Sequence, residues 1–290
     1  MGAKDITEKT LEAYNDVFAD IVNVLAFQGE RVVHPKELTD ALPRSFYKAD
    51  GKIREQERDV SKYWRKHRIR IATFGIENQT KQDADMPLRV IGYDGASYRN
   101  QIKKGKKARY PVTTIVLYFN HKERWNKPLH LVDCFNIPEE LKPLVNDYQV
   151  HLYEIAWLTR EQVNMFRSDF RIVADYFVQM RENADYVPSK ETIQHVQEVL
   201  QLMAVLSGDN RFEEVFQEEG SGTNMCEVLD RVEARGEARG EARGEARGVI
   251  KGTVATCLRF GMEAAQVLEE IRNRFQLDEP TARKYVEEAC

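Results

Sequence analysis

Between Glu57 and Gln79 the chain reads Glu-Arg-Asp-Val-Ser-Lys-Tyr-Trp-Arg-Lys-His-Arg-Ile-Arg-Ile-Ala-Thr-Phe-Gly-Ile-Glu-Asn-Gln, and this stretch limits the possible folds most tightly. From Arg68 to Ile76 it is rich in Ile, Thr and Phe and free of Pro, the signature of a strand. Side chains two apart on a strand share a face, so Glu77 and Gln79 point the same way as Ile69, Ile71 and Thr73. An acid and an amide therefore leave together from the end of a mostly buried strand. If Val60–Trp64 pairs antiparallel with it around a turn near Lys66, partners carry numbers summing to about 132–136, which sets Asp59 across from Gly75–Glu77. Two carboxylates then meet at one strand end. The turn, Arg65-Lys66-His67-Arg68, lacks the Gly or Asn-Gly that a tight hairpin favours.

Carboxylates held a few ångströms apart repel, and a shared proton or a bound cation relieves the repulsion. Hard divalent ions take oxygen ligands, and one or two carboxylates completed by water make a normal Mg²⁺ site. Such an ion polarises a phosphate and lowers the pKa of an attacking water. The competing reading is that Asp59 and Glu77 are solvated strand-end charges, each paired with a nearby arginine.

Asp59 followed by Ile76-Glu77-Asn78-Gln79 resembles the acid…acid-x-Gln/Lys core of the PD-(D/E)XK nuclease superfamily. More closely, the chain resembles the Rpn family of recombination-promoting nucleases, the YhgA-like transposases. The likeness takes in Thr80-Lys81-Gln82-Asp83-Ala84-Asp85-Met86-Pro87-Leu88-Arg89, Tyr14-Asn15-Asp16-Val17-Phe18 and an Arg-Gly-Glu-Ala tail, and covers most of residues 5–230. It implies a restriction-endonuclease-like α/β core, a mixed central sheet flanked by helices, with a helical C-terminal extension. It implies that Asp59 and Glu77 hold Mg²⁺ or another divalent cation such as Mn²⁺, and that an acid of the first helix, Asp16, completes the metal site. Gln79 would stand where the superfamily has lysine, giving dipoles and hydrogen bonds in place of a full charge. Lys81 or Arg89 is the alternative source of that charge.

Composition bounds these readings. The chain has 290 residues, enough for one or two domains with a sizeable core. With no run of 18 apolar residues and no secretory-type start, the expectation is a cytoplasmic protein without a membrane span. Cys134, Cys226, Cys257 and Cys290 are far apart and suggest neither zinc nor a disulfide framework. The net charge of −4 argues against coating DNA with the whole surface, so DNA binding needs a local basic patch. Between Gly95 and Lys122 there are seven Lys or Arg residues and no acid. Arg89, Arg99, Lys103, Lys104, Lys106, Lys107 and Arg109 are the candidate phosphate contacts.

Along the chain, residues 5–27 place Leu11, Tyr14, Val17, Phe18, Ile21, Val22 and Leu25 at helical spacing, with Asp5 or Thr7 as cap and Gly29 near the end. Glu12, Asp16 and Asp20 would line one polar side of that helix. Residues 30–56, with Pro35, Pro43 and Gly51, read as a loop-rich connection, and Trp64 as a core residue. A helix begins near Met86-Pro87 behind Asp83–Asp85, carrying Leu88, Val90, Ile91 and Tyr98 inward and stopping at Gly105. Pro111–Asn120 is a central strand, and Leu129–Phe135 and Gln149–Leu158 are two more. Thr159–Glu182 and Ser189–Leu206 read as helices, the latter capped by Ser189 and stopped by Gly208.

Gly220-Ser221-Gly222-Thr223 breaks the chain, and Glu-Ala-Arg-Gly then occurs four times from Glu233, a weak helix or a variable spacer. Val254–Phe275 and Asp278–Ala289 form a small helical pair suited to self-association or a partner. The expected organisation is a nuclease-like core over 1–160, a helical extension over 161–219, a flexible linker over 220–250 and a helical tail over 251–290. The function expected from the resemblance is Mg²⁺-dependent DNA endonuclease activity in recombination or mobile DNA, by a homodimer if both strands are cut. The alternative is a nuclease-like fold that has lost catalysis and serves as a nucleic-acid or protein interaction module. Glycine-rich nucleotide loops, His-Glu-x-x-His and Gly-x-Ser-x-Gly are absent.

Overall fold

The computed structural model describes residues 11–41, 44–49, 52–67, 69–103, 109–207 and 224–289. The chain divides into two compact units, Met1–Val228 and Leu229–Cys290. In the first, helix α1 (Asn15–Leu25) leads to strand β1 (Leu38–Asp40) and to β2 (Arg44–Ala49) and β3 (Lys52–Glu57), which pair only with each other. Then come β4 (Val60–Lys66), β5 (Ile69–Gln79), helix α2 (Met86–Lys103), β6 (Val112–Tyr118) and β7 (His151–Glu154). Helices α3 (Arg160–Met165), α4 (Phe170–Asn183) and α5 (Val196–Ser207) follow. One sheet has the order β1-β4-β5-β6-β7, antiparallel from β1 to β5 and parallel from β5 to β7.

The β4–β5 hairpin has the register that the alternation predicts. Val60 lies opposite Ile76 and Ser61 opposite Gly75; a one-residue shift at Trp64/Arg65 then brings Lys66 opposite Ile69. His67 supplies the left-handed residue of the turn, with φ 47°, where the sequence offers no glycine. β5 is central, paired with β4 on one side and β6 on the other, so its side chains from Ala72 to Asn78 are buried. Trp64 is buried as expected, its indole N–H donating to Glu37 Oε2 at 2.9 Å.

α1 is shorter than its periodicity suggests. Tyr14 is extended (φ −70°, ψ 132°) and starts a new helix after the turn at Leu11 and Glu12. Its acids do not form a polar side: Glu12 and Asp20 are buried and Asp16 is exposed enough to meet solvent. Asp5 and Thr7 lie outside the described residues, as do Pro43, Gly51, Gly105, Gly208 and residues 220–223. The stretch 30–56 is not only loop, since it contains β1 and the backbone of the β2–β3 hairpin.

α2 begins where expected, with Asp85 N–H donating to Asp83 Oδ1 at 2.9 Å, but Leu88 points outward while Met86, Val90 and Tyr93 face the sheet. Leu129–Phe135 is not a strand. It holds a single antiparallel bridge, His130 to Gln149, and a 3-10 turn over Leu131–Cys134. The strand expected over 149–158 is confined to His151–Glu154, and a 3-10 turn takes Ile155–Trp157.

Two helix boundaries are set by distant carboxylates. The helix expected over Thr159–Glu182 breaks between Met165 and Phe170 because Asp20 Oδ2 accepts the backbone N–H groups of Arg167 and Ser168 at 2.6 and 2.7 Å. Asp169 likewise accepts from Gln194 and His195, so α5 begins at Val196 and not at Ser189. Each acid satisfies backbone N–H groups of the two residues that lead into a helix.

Residues 225–259 form one continuous helix, α6 (Met225–Arg259), through the Glu-Ala-Arg-Gly repeats. In the second unit it is followed by α7 (Ala264–Phe275) and α8 (Glu279–Glu287). The helix expected over Val254–Phe275 breaks at Gly261, whose φ is +83°. Val254, Val267, Ile271, Ala282 and Val286 form this unit's own core. Among the described residues no helix is long and apolar enough to cross a membrane.

Candidate functional site

Asp59 stands one residue before β4 and Glu77 two residues before the end of β5, so the hairpin register brings them together. Asp59 Oδ2 accepts the backbone N–H of Asn78 at 2.7 Å, and the Asn78 side-chain amide donates to Glu12 Oε2 at 2.8 Å. Glu77 is only 3% exposed. Its Oε1 is crowded with donors: the Arg89 guanidinium, Gln79 Nε2 at 3.3 Å and the Tyr93 hydroxyl at 3.4 Å. Its Oε2 is buried with no hydrogen bond among the described residues. Burial first, and then the Asp59 charge, push the Glu77 carboxyl up to about 8, against the pull of Arg89, Tyr93 and Arg58.

Charges alternate from the core outward along the junction of β5 and α2. Innermost is Asp94, whose Oδ1 accepts from Arg58 Nη2 at 2.5 Å and Thr114 Oγ1 at 2.6 Å, while its Oδ2 accepts from the Tyr148 hydroxyl. Arg58 and Asp94 are both almost fully buried. The Arg58 stem crosses β5 at Gly75, where an added Cβ would lie 2.7 Å from Arg58 Cδ and 3.0 Å from Nε. Gly75 and Glu77 share a face of β5, so this glycine admits a buried cation on the face that carries Glu77. Arg89 comes next, bonded to Glu77 and, through Nη1, to Asp83 Oδ2 at 2.8 Å. Burial and the Glu77 charge raise the Tyr93 phenol to about 12.

Asp59, Glu77, Gln79 and Arg89 are thus brought together, as the sequence suggests. Asp16 is not in that set: its carboxylate lies 3.3 Å from His195 Nε2, and Glu12, four residues earlier and ahead of α1, is the acid that reaches the β5 end. Arg99 and Arg109 are exposed, Lys103 ends α2, and Lys104, Lys106 and Lys107 lie outside the described residues. Sequence reasoning passed over Arg58, Tyr93 and Asp94. Tyr93 was within reach, being four residues after Arg89 on one helix face, but the buried Arg58–Asp94 pair has no local signal.

Among the described residues no cluster of three or more His, Cys, Asp or Glu is arranged to hold a metal ion. A cation at Asp59 and Glu77 would therefore take two carboxylates and complete its shell with water. The buried Glu77 Oε2 and the all-oxygen donor set fit a hard divalent ion.

The family model described as Putative transposase, YhgA-like, matches residues 73–207. Over that span the chain is similar to that family. The matched segment opens inside β5 and holds Glu77, Gln79, Asp83, Arg89, Tyr93, Asp94 and Tyr148, whereas Glu12, Arg58 and Asp59 precede it. The YhgA-like segment thus brings the crowded carboxylate and its arginine, and the residues before it bring the facing acid. No curated protein and no solved structure matches the chain.

Proposed function

We propose that this chain is a metal-dependent DNA endonuclease acting on mobile DNA. The observation that carries the reading is a buried glutamate with one unsatisfied oxygen, facing a second carboxylate across a hairpin end. The order β4–β5–α2–β6, an antiparallel pair followed by a parallel crossover, supports a PD-(D/E)XK-like core. The YhgA-like match supports a role with DNA. Asp59 and Glu77 would hold Mg²⁺ or Mn²⁺, which when bound supplies a polarised phosphate and a more acidic water.

The chain's own residues do the rest. Asp59 is fixed by the Asn78 N–H, and Glu77 by Arg89, Tyr93 and Gln79. Gln79, at the outer end of β5, orients the attacking water through its amide. The water oxygen forms a bond to phosphorus, the bond to the 3′ oxygen breaks, and the water's proton ends on that oxygen. Exposed Arg99 and Arg109 steer the DNA backbone. Cutting both strands would require two copies.

A second reading has a specific observation in its favour. Arg89 already neutralises Glu77, and Gln79 brings no charge, as in a nuclease-like fold retained for binding alone. Incubation of the full chain with supercoiled plasmid in Mg²⁺, Mn²⁺ or EDTA separates the two. Metal-dependent nicking that Asp59→Ala and Glu77→Ala both abolish establishes the endonuclease; DNA binding without nicking establishes the binding module.

A further inference from the structure

Between Arg231 and Cys290 the chain has 11 basic and 11 acidic residues, so no excess of positive charge crowds cations together there. Three of them nevertheless share one cleft of the second unit, about 500 Å³ in volume, between α6 and α8. Helical spacing puts them there. Arg247 and Lys251 are four apart on α6, and Thr281, Lys284, Tyr285 and Glu288 recur at three and four residues along α8 and its C-cap, so each set lines one face. Ala282 and Val286 of α8 enter the unit's core and fix that orientation. Lys251 Nζ lies 3.0 Å from Glu288 Oε2, and this bond first, then the charges of Lys284 and Arg247, hold the Glu288 carboxyl below its usual range. All three cations thus act on one place. Arg247 and Lys284 make no ion pair among the described residues, so three cations against one acid leave the cleft positive. Both members of the Lys251–Glu288 pair are exposed, and an exposed pair is weak enough for a ligand anion to take the place of the carboxylate.

We propose that this cleft binds the phosphate backbone of duplex DNA, with Arg247 and Lys284 as its phosphate contacts and Lys251 joining them when Glu288 is displaced. Phosphodiester oxygens only accept hydrogen bonds, and the cleft is rich in donors. The Arg247 guanidinium offers a planar fork, the two lysines offer point charges, and the Thr281 and Tyr285 hydroxyls can donate as well. The attraction comes from these side chains and not from the start of α8, where the Thr281 N–H is already taken by Asp278 Oδ1 at 2.8 Å. Contacts of this kind hold DNA whatever its sequence. The proposal rests on the DNA-binding side of the function proposed above and is independent of cleavage. It gives the second unit a grip of its own on the nucleic acid.

The experiment uses the full chain and measures duplex DNA binding in EDTA over a range of salt, with plasmid nicking in Mg²⁺ beside it. Wild type is compared with Arg247→Gln/Lys284→Gln, with the charge-keeping Arg247→Lys/Lys284→Arg, and with Arg259→Gln/Arg274→Gln, which removes the same charge from exposed positions that do not line the cleft. Arg247→Gln/Lys284→Gln is expected to reduce the slope of log affinity against log salt by about two, the loss of two phosphate contacts, while the other two variants keep the wild-type slope. Retention of the slope in the charge-keeping variant separates loss of contacts from loss of fold. Equal slopes in the cleft variant and the Arg259/Arg274 variant overturn the proposal, and so does wild type that binds no DNA in EDTA. Polyglutamate added as competitor is expected to act alike on wild type and the cleft variant. Competition that depends on Arg247 and Lys284 would assign the cleft to acidic peptide and overturn the proposal as well. Wild type that binds through the cleft but never nicks DNA overturns the endonuclease reading alone.

Discussion

Two carboxylates sit at the same junction of β5 and α2 and are treated differently. Asp94 is supplied on both oxygens, by Arg58, Thr114 and the Tyr148 hydroxyl, and is closed off from water. Glu77 is almost as buried, yet its donors gather on one oxygen and leave the other without a hydrogen bond. A balanced buried charge is architecture: it fixes how the hairpin seats on the helix. An unbalanced one costs stability and persists where something outside the chain completes it.

The largest effect should come from breaking the balanced end. Arg58→Met leaves Asp94 as an uncompensated buried charge and should lower stability by about 3–5 kcal/mol. Arg58→Met/Asp94→Leu should recover much of that loss in denaturant titrations, because the desolvation penalty of both charges disappears together.

The unbalanced end should show itself in pH. The Glu77 carboxyl is pushed up to about 8 in the folded chain against 4.5 ordinarily. The folded state therefore binds the extra proton more tightly, and its contribution is complete below about pH 4.5 and lost as pH rises through about 8. Without divalent cations, wild type should lose roughly 2–3 kcal/mol over that window through this group, a discounted fraction of about 1.4 kcal/mol per unit. Glu77→Gln should lack that component. A thermal-unfolding series with pH, run on both proteins, reads the difference directly.

Gly75 joins the two ends, and Gly75→Ala should cost about 1–3 kcal/mol by forcing its Cβ against the Arg58 stem. If the accompanying shift moves Arg58, DNA nicking should fall with stability. The smallest effect belongs outside the comparison. Asp20→Ala removes the carboxylate that starts α4 and should cost about 0.5–2 kcal/mol with nicking unchanged.

What the sequence disclosed and withheld follows from the range of the interactions. The hairpin and its carboxylate pair were legible because strand alternation and antiparallel pairing are local rules, and the observed partners sum to 136 or 135. The acid of the first helix was misplaced because Tyr14 is extended, so the four-residue spacing from Glu12 to Asp16 does not lie on one continuous helix. Lys62, arriving from β4, takes the Ala13 carbonyl at that break, at 2.5 Å. The gap between α3 and α4 was hidden for the same reason: Asp20 acts across 147 positions of sequence. Leu131–Cys134 has apolar residues at strand-like density, but it closes into a 3-10 turn, and His130 before it makes a single bridge, to Gln149.

The most direct measurement is titration of the full chain with Mn²⁺, followed by electron paramagnetic resonance, in wild type, Asp59→Asn, Glu77→Gln and Asp16→Asn. The account predicts saturable binding in wild type that Asp59→Asn and Glu77→Gln abolish and Asp16→Asn leaves intact, with affinity rising as pH passes through the Glu77 transition. Binding that survives Glu77→Gln unchanged, or wild type that binds no Mn²⁺, would contradict it.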